Sequence, residues 1–208
     1  MKNATKHAEE LKSYARRLLR DHKPAPLEHQ EPLKALVRGA MSYDVSDARA
    51  EEAMRAIDQE FVDLNEFRVA TELEIQGLLG SRYPAIERRV TMITTALNNI
   101  FEREHTLSLN RLKDLSKRDA RQFLRDLPDI HPFVEAYVML ASFEGSAMPM
   151  DDSTVELLTE QGVLEADTKV IDAQKFVENN LKAEELYPFY SATRAAVAEA
   201  SKRKKAKA

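Results

Sequence analysis

The chain has 208 residues, 43% of them hydrophobic and 32% charged, with a formal charge of −4 and no cysteine. That length makes one large domain or two small lobes with room for a core, and the missing cysteine excludes disulfides, cysteine-ligated zinc, iron–sulfur clusters and a cysteine nucleophile. No stretch approaches the roughly 20 apolar residues of a membrane span, and the scattered histidines His7, His22, His29, His105 and His131 show no metal-ligand spacing, so neither a metal nor another cofactor is expected. A charged N-terminus without an apolar leader segment predicts a cytoplasmic protein.

Apolar residues recur at helical spacing almost throughout, and β-branched alternation is nearly absent. The first predicted helix carries Leu11, Ala15, Leu18 and Leu19 and stops before Pro24 and Pro26. The next starts at Pro32, whose missing N–H needs no partner in a first turn, and carries the stripe Leu33, Leu36, Val37, Ala40 and Met41. Ser46 is placed to cap a third helix, Asp63 a short turn through Phe67, and Thr71 with Glu74 has capping-box spacing ahead of a helix that Gly80 stops. The longest stripe runs through Ile86, Val90, Ile93, Leu97 and Ile100; Arg82, Arg88 and Arg89 alongside it read as a solvated face. Ser116 opens a helix that Pro128 ends, Pro132 starts another, and Asp152 or Ser153 is expected to cap a helix that Gly162 stops. Two more helices complete a total of about ten, with no sheet. Short linkers predict a single helical domain over residues 1–200, in which a central lobe over about 30–150 is joined by a lobe built from the two chain ends.

Lys202, Arg203, Lys204, Lys205 and Lys207 form a basic segment at 201–208; without these five cations the remainder carries −9. The segment is expected to be disordered, and it is the densest positive charge in the sequence, hence a candidate anchor for DNA phosphates.

Three segments in order carry further information: LVRGAMSYDVS over 36–46, FLRDLPDIHPFVEA over 123–136, and MDDSTVELL over 150–158. Together they resemble the helix–hairpin–helix DNA glycosylase superfamily of the endonuclease III type, in which a segment like LLSAQATDVS precedes a hairpin like LPGVGRKTA and then a VDTHVxRV-like segment with the catalytic aspartate. The resemblance implies an all-α, two-lobed fold, and double-stranded DNA as the partner. It assigns the hairpin to Asp129, Ile130 and His131, the base-gap wedge to Met41, and the catalytic carboxylate to Asp152, with Asp151 beside it as a weaker candidate. Such a carboxylate can stabilise the cationic sugar left by the departing base or help activate water. The same Asp-Ser-Thr run is also an ordinary helix N-cap.

The departures from the family pattern point the other way. Asp129 and His131 replace the hairpin glycines, and Asp129 puts a negative group where a phosphate would sit. The lyase lysine falls at Phe133, which has no amine to form a Schiff base. The reading is therefore a divergent glycosylase-like protein of base-excision-repair type with lost or altered catalysis, acting as a DNA- or protein-binding module. Two alternatives stand beside it: an active monofunctional glycosylase using Asp152, and a helical scaffold unrelated to DNA.

Overall fold

The computed structural model describes the backbone of residues 4–24 and 26–207, with side chains over 5–24 and 26–204. Eleven α-helices and one 3-10 segment (Asn110–Asp114) account for the described residues, with no strand among them. In chain order they are α1 (Ala4–Asp21), α2 (Pro32–Ser42), α3 (Asp47–Glu60), α4 (Leu64–Val69), α5 (Glu72–Leu79), α6 (Ile86–Glu104), α7 (Lys117–Arg125), α8 (Pro132–Ser142), α9 (Asp152–Glu160), α10 (Val170–Asn180) and α11 (Ala183–Lys207). None of the described helices is long and apolar enough to cross a membrane.

Local chemistry sets most boundaries. Asp63 accepts the backbone N–H groups of Asn65 and Glu66 at the start of α4. Thr71 and Glu74 form a reciprocal capping box on α5, and Gly80 ends that helix at φ 82°, a conformation open to glycine without a Cβ clash. Pro32 and Pro132 open α2 and α8, with Glu31 and His131 as their respective caps. Two expectations are corrected. Ser46 precedes α3 but makes no side-chain cap. The cap of α9 is Asp151, not Asp152 or Ser153: Asp151 is extended (ψ 173°) and accepts the Thr154 N–H, so the helix begins one residue earlier than the motif suggested.

α2 and α8 are the most extensively paired helices, with α3 and α6 also packed on α2 and α7 on α8. α1 packs on α10 and α11, and α9 on both of the latter. One continuous apolar core runs through all of these, from Leu11 in α1 to Phe189 in α11. The α2–α8 crossing is close because Gly39 faces α8. A Cβ there would lie 3.2 Å from Tyr137 Cδ1 and 3.4 Å from the Val134 backbone.

The C-terminal segment differs from expectation. α11 continues to Lys207 rather than ending before a disordered tail. Arg203 pairs with Glu199 one turn back, and Lys204 reaches Glu156 and Glu160 on α9. Lys202 is exposed, and the side chains of Lys205 and Lys207, like residues 1–3 and Ala208, lie outside the described residues.

Gly39→Ala is expected to lower unfolding free energy by about 1–3 kcal/mol, because the backbone of α8 has little room to yield. Urea unfolding followed by circular dichroism measures this; an unchanged midpoint would mean the crossing is looser than described.

Candidate functional site

The three segments singled out in the sequence meet at one place. The end of α2 and its following loop (41–46), the turn between α7 and α8 (126–131) and the N-terminus of α9 (151–153) are tied by direct contacts. The backbone N–H of Asp44 donates to Asp151 Oδ2 at 3.0 Å, and the Ser153 N–H donates to Asp44 Oδ1 at 3.4 Å. The Tyr43 ring lies parallel to the His131 ring, with 4.3 Å between centroids.

Two buried arginines build this junction. A helix end leaves its last carbonyls without intrahelical partners, and α2 ends inside the protein. Arg89 of α6, 1% exposed, donates Nε to the Pro84 carbonyl, Nη1 to Ala40 and Nη2 to Tyr43. Its guanidinium carbon is 3.7 Å from the centre of the Tyr43 ring, so Tyr43 is held between this cation and His131, one on each face. Tyr83 adds a hydrogen bond to the Met41 carbonyl at 2.7 Å, and burial pushes its phenol up to about 12. Burial also lowers the pKa of Arg89, against the pull of Tyr43, Tyr83 and Asp44. The expectation that Arg89 belongs to a solvated face is thereby overturned. Arg82 and Arg88 are exposed.

Arg194 of α11 holds the other side. It donates to the Ser42 and Val45 carbonyls, to Asp47 at 2.8 Å, and through Nη1 to Asp151 Oδ2 at 2.9 Å. Burial works against its charge, but Tyr190, Asp47 and Asp151 more than compensate and raise its pKa.

Asp151 is 1% exposed and both of its oxygens are taken, Oδ1 by Thr154 N–H and Oδ2 by Asp44 N–H and Arg194. Three of its roughly four acceptor sites are thus filled, and burial closes the carboxylate to solvent. Asp152, one residue on, is exposed in the first turn of α9. Its field reaches His131, whose pKa is lowered by burial and by Arg88 and Arg89, with Asp152 and Asp151 opposing.

The hairpin turn forms without glycine. Asp129 adopts φ 54°, a left-handed conformation that aspartate tolerates better than most residues. Asp129 is exposed, and Ile130 is half-buried against the core. His131 turns its Nδ1 onto the Phe133 N–H at 3.2 Å, so one donor at the start of α8 is used internally. Phe133 is fully buried among Tyr43, Tyr137 and Tyr190. Met41 is also fully buried, which corrects its assignment as a wedge: it belongs to the inward stripe of α2. Arg88 borders this face, acting on His131. Arg49 caps the Arg82 carbonyl and lies over Tyr83 at 5.1 Å.

Arg89 and Arg194 were missed from sequence. A faint signal existed: Arg89 falls three residues after Ile86 and four before Ile93, and Arg194 four after Tyr190, so both sit on apolar stripes.

No protein-family model matches this chain. No curated protein matches it either. Among solved structures it superposes on an endonuclease III–DNA complex with a TM-score of 0.72 at 13% identity, covering 90% of this chain and 84% of that one. The Clostridium acetobutylicum 8-oxoguanine glycosylase/lyase bound to double-stranded DNA gives 0.71 at 14%, covering 94% and 70%. The H. pylori 3-methyladenine DNA glycosylase bound to 1,N6-ethenoadenine gives 0.64 at 14%, covering 97% and 98%. The chain has the fold of the helix–hairpin–helix DNA glycosylases. Identities this low carry the fold and not the chemistry.

Removing Arg194 strands the Asp151 carboxylate. Arg194→Met is expected to lose about 3–5 kcal/mol of stability, and pairing it with Asp151→Asn should restore part of that loss in chemical denaturation. A double variant no better than the single would mean that the ion pair is not what Arg194 supplies.

Asp44 makes a pH-dependent prediction. Burial and the neighbouring Asp151 raise its pKa in the folded state. An acid with a raised folded pKa weakens the fold once ionised; the penalty is complete above that pKa and absent below the unfolded value of about 4. Asp44→Asn should therefore be more stable than the parent at pH 7 and lose its advantage as pH falls through that window. An advantage independent of pH would show that charge is not its source.

Proposed function

We propose that this protein is a glycosylase-fold module that binds duplex DNA without excising a base, in the cytoplasmic setting expected from its sequence. The observation carrying the loss of catalysis is that, of the two candidate carboxylates, the one turned into the junction, Asp151, is enclosed by Arg194, Asp44 and Thr154, while Asp152 lies outside it on the surface. Phe133, buried at the position that the resemblance gives to the lyase amine, supports it. The DNA reading is supported by the fold shared with proteins solved on DNA and by two exposed arginines at the start of α6, Arg82 in the preceding loop and Arg88 in its first turn, the latter close enough to act on His131 of the hairpin.

These two arginines, rather than the C-terminal segment, are the favoured phosphate contacts. Arg203 and Lys204 are occupied by glutamates of α9 and α11, and Asp129 repels phosphate at the hairpin itself. A second reading, an active monofunctional glycosylase, rests on the exposure of Asp152 next to the field of His131.

One titration of damaged and undamaged duplexes over a range of salt tests both readings. Binding should be insensitive to the lesion and should fall with salt, and no free base should be released. Arg82→Ala with Arg88→Ala should flatten the log–log salt slope by about 1.8, at 0.9 per phosphate. Deletion of 201–208 producing that flattening instead would move the contacts to the end of α11. Base release that disappears in Asp152→Asn would overturn the non-catalytic reading, and no binding at low salt would leave the scaffold unrelated to DNA.

A further inference from the structure

Among the described residues, three of the five exposed large apolar side chains fall in one stretch, the other two being Phe101 and Ile171. Val62 is 93% exposed, Leu73 79% and Val69 67%, all within α4, α5 and the turn before them. Scattered exposed apolar residues need no explanation, but a contiguous set marks an interaction site. Two open grooves share Phe61 in their linings, Val62 bordering the first and Val69 the second. One, of about 590 Å³, is floored by Leu33, Ile57 and Leu107. The other, of about 550 Å³, is floored by Phe61, Val69, Ala70 and Leu78.

The rims of both grooves are acidic. Residues 58–79 hold six carboxylates against one cation. Glu60, Glu66 and Glu74 line the second groove, with no basic side chain among its lining. In the first, Asp58, Asp63 and Glu31 surround a single Lys34, which is paired with Asp58 at 3.2 Å. The one cation of the segment, Arg68, is turned away onto α6, with Nη1 2.8 Å from Asn98 Oδ1 and its guanidinium over Phe101 at 4.2 Å.

An apolar floor framed by carboxylates that outnumber the cations beside them is complementary to a helix with apolar residues at i, i+3, i+4 and i+7 and lysine or arginine on its flanks. We propose that the two grooves that share Phe61 are a docking surface for a basic amphipathic segment of another protein. The surface does not depend on the DNA reading: it shares no residue with the junction of α2, α8 and α9. A nucleic acid is excluded as occupant by the sign of the rim.

The test uses the full chain and three labelled synthetic peptides of about 18 residues, five turns of helix. The first has leucine at i, i+3, i+4 and i+7 with lysine elsewhere, the second has the same composition in scrambled order, and the third has glutamate in place of lysine. Fluorescence anisotropy should show the first binding about tenfold more tightly than the scrambled peptide, as seating one or two apolar side chains requires, and the glutamate peptide not binding. Val62→Ser with Val69→Ser, both at exposed positions, should weaken the first peptide about tenfold while leaving thermal unfolding unchanged. Glu60→Lys should weaken it further at low salt than at high salt. Equal affinity for the amphipathic and scrambled peptides, or unaltered binding by the serine variant, would overturn the proposal. Sedimentation velocity showing a dimer that the serine variant abolishes would also overturn it, with a second copy of the chain as the occupant. Loss of DNA binding leaves all of these readouts intact, so the two proposals fail separately.

Discussion

The end of α2 is the constraint around which the rest is arranged. Its terminal carbonyls point into protein instead of water, and unpaired buried carbonyls are costly. Two guanidiniums supply the donors, Arg89 from α6 and Arg194 from α11. Arg89 does so with no carboxylate bonded to it. It is held by carbonyl oxygens, by the negative end of the α2 dipole and by the face of Tyr43. With the loop after α2 pinned on both sides, the ring of Tyr43 is fixed against His131 and the N–H of Asp44 is aimed at Asp151. The hairpin turn and the α9 N-terminus thus take their positions from a helix end that neither of them contains.

That arrangement separates two properties which the shared fold would otherwise join. The fold of the DNA glycosylases is present, and Asp129 takes a left-handed conformation in the hairpin turn. The side chains placed on that fold favour rigidity over access. An arginine closes over the buried aspartate, aromatic rings fill the space around Phe133, and an imidazole takes a backbone donor at the start of α8. Each of these raises the internal complementarity of the junction and lowers what it can offer a ligand.

What could be read from the sequence follows the range of the interaction concerned. Helix positions depend on periodicity and on caps within four residues, so the stripe of α2, the Thr71–Glu74 box and the prolines at 32 and 132 all declare themselves locally. The roles of Arg89 and Arg194 depend on partners 46–49 and 43–152 residues away, apart from the nearby Pro84 carbonyl. Asp151 and Asp152 are equivalent as local cap chemistry. Their long-range partners tell them apart: Asp151 takes Arg194 and the Asp44 N–H, and Asp152 stays on the surface. Met41 fitted both a motif position and an apolar stripe, and packing favoured the stripe. The end of α11 was misjudged because net charge was weighed and helix propensity was not: alanine, lysine, arginine and glutamate are all good helix formers.

The Arg194 clamp also constrains how the molecule is made. Asp47 and Arg194 are 147 residues apart. At ordinary ribosomal rates the first waits roughly 7–30 s for the second to be synthesised. During that interval the loop after α2 lacks the donors of Arg194, and once Asp151 emerges its carboxylate has no cation to close over it. A nascent chain can therefore assemble the early helices but not lock them. The junction sets late, when α11 docks, and a translation product that stops short of Arg194 carries an unlocked site.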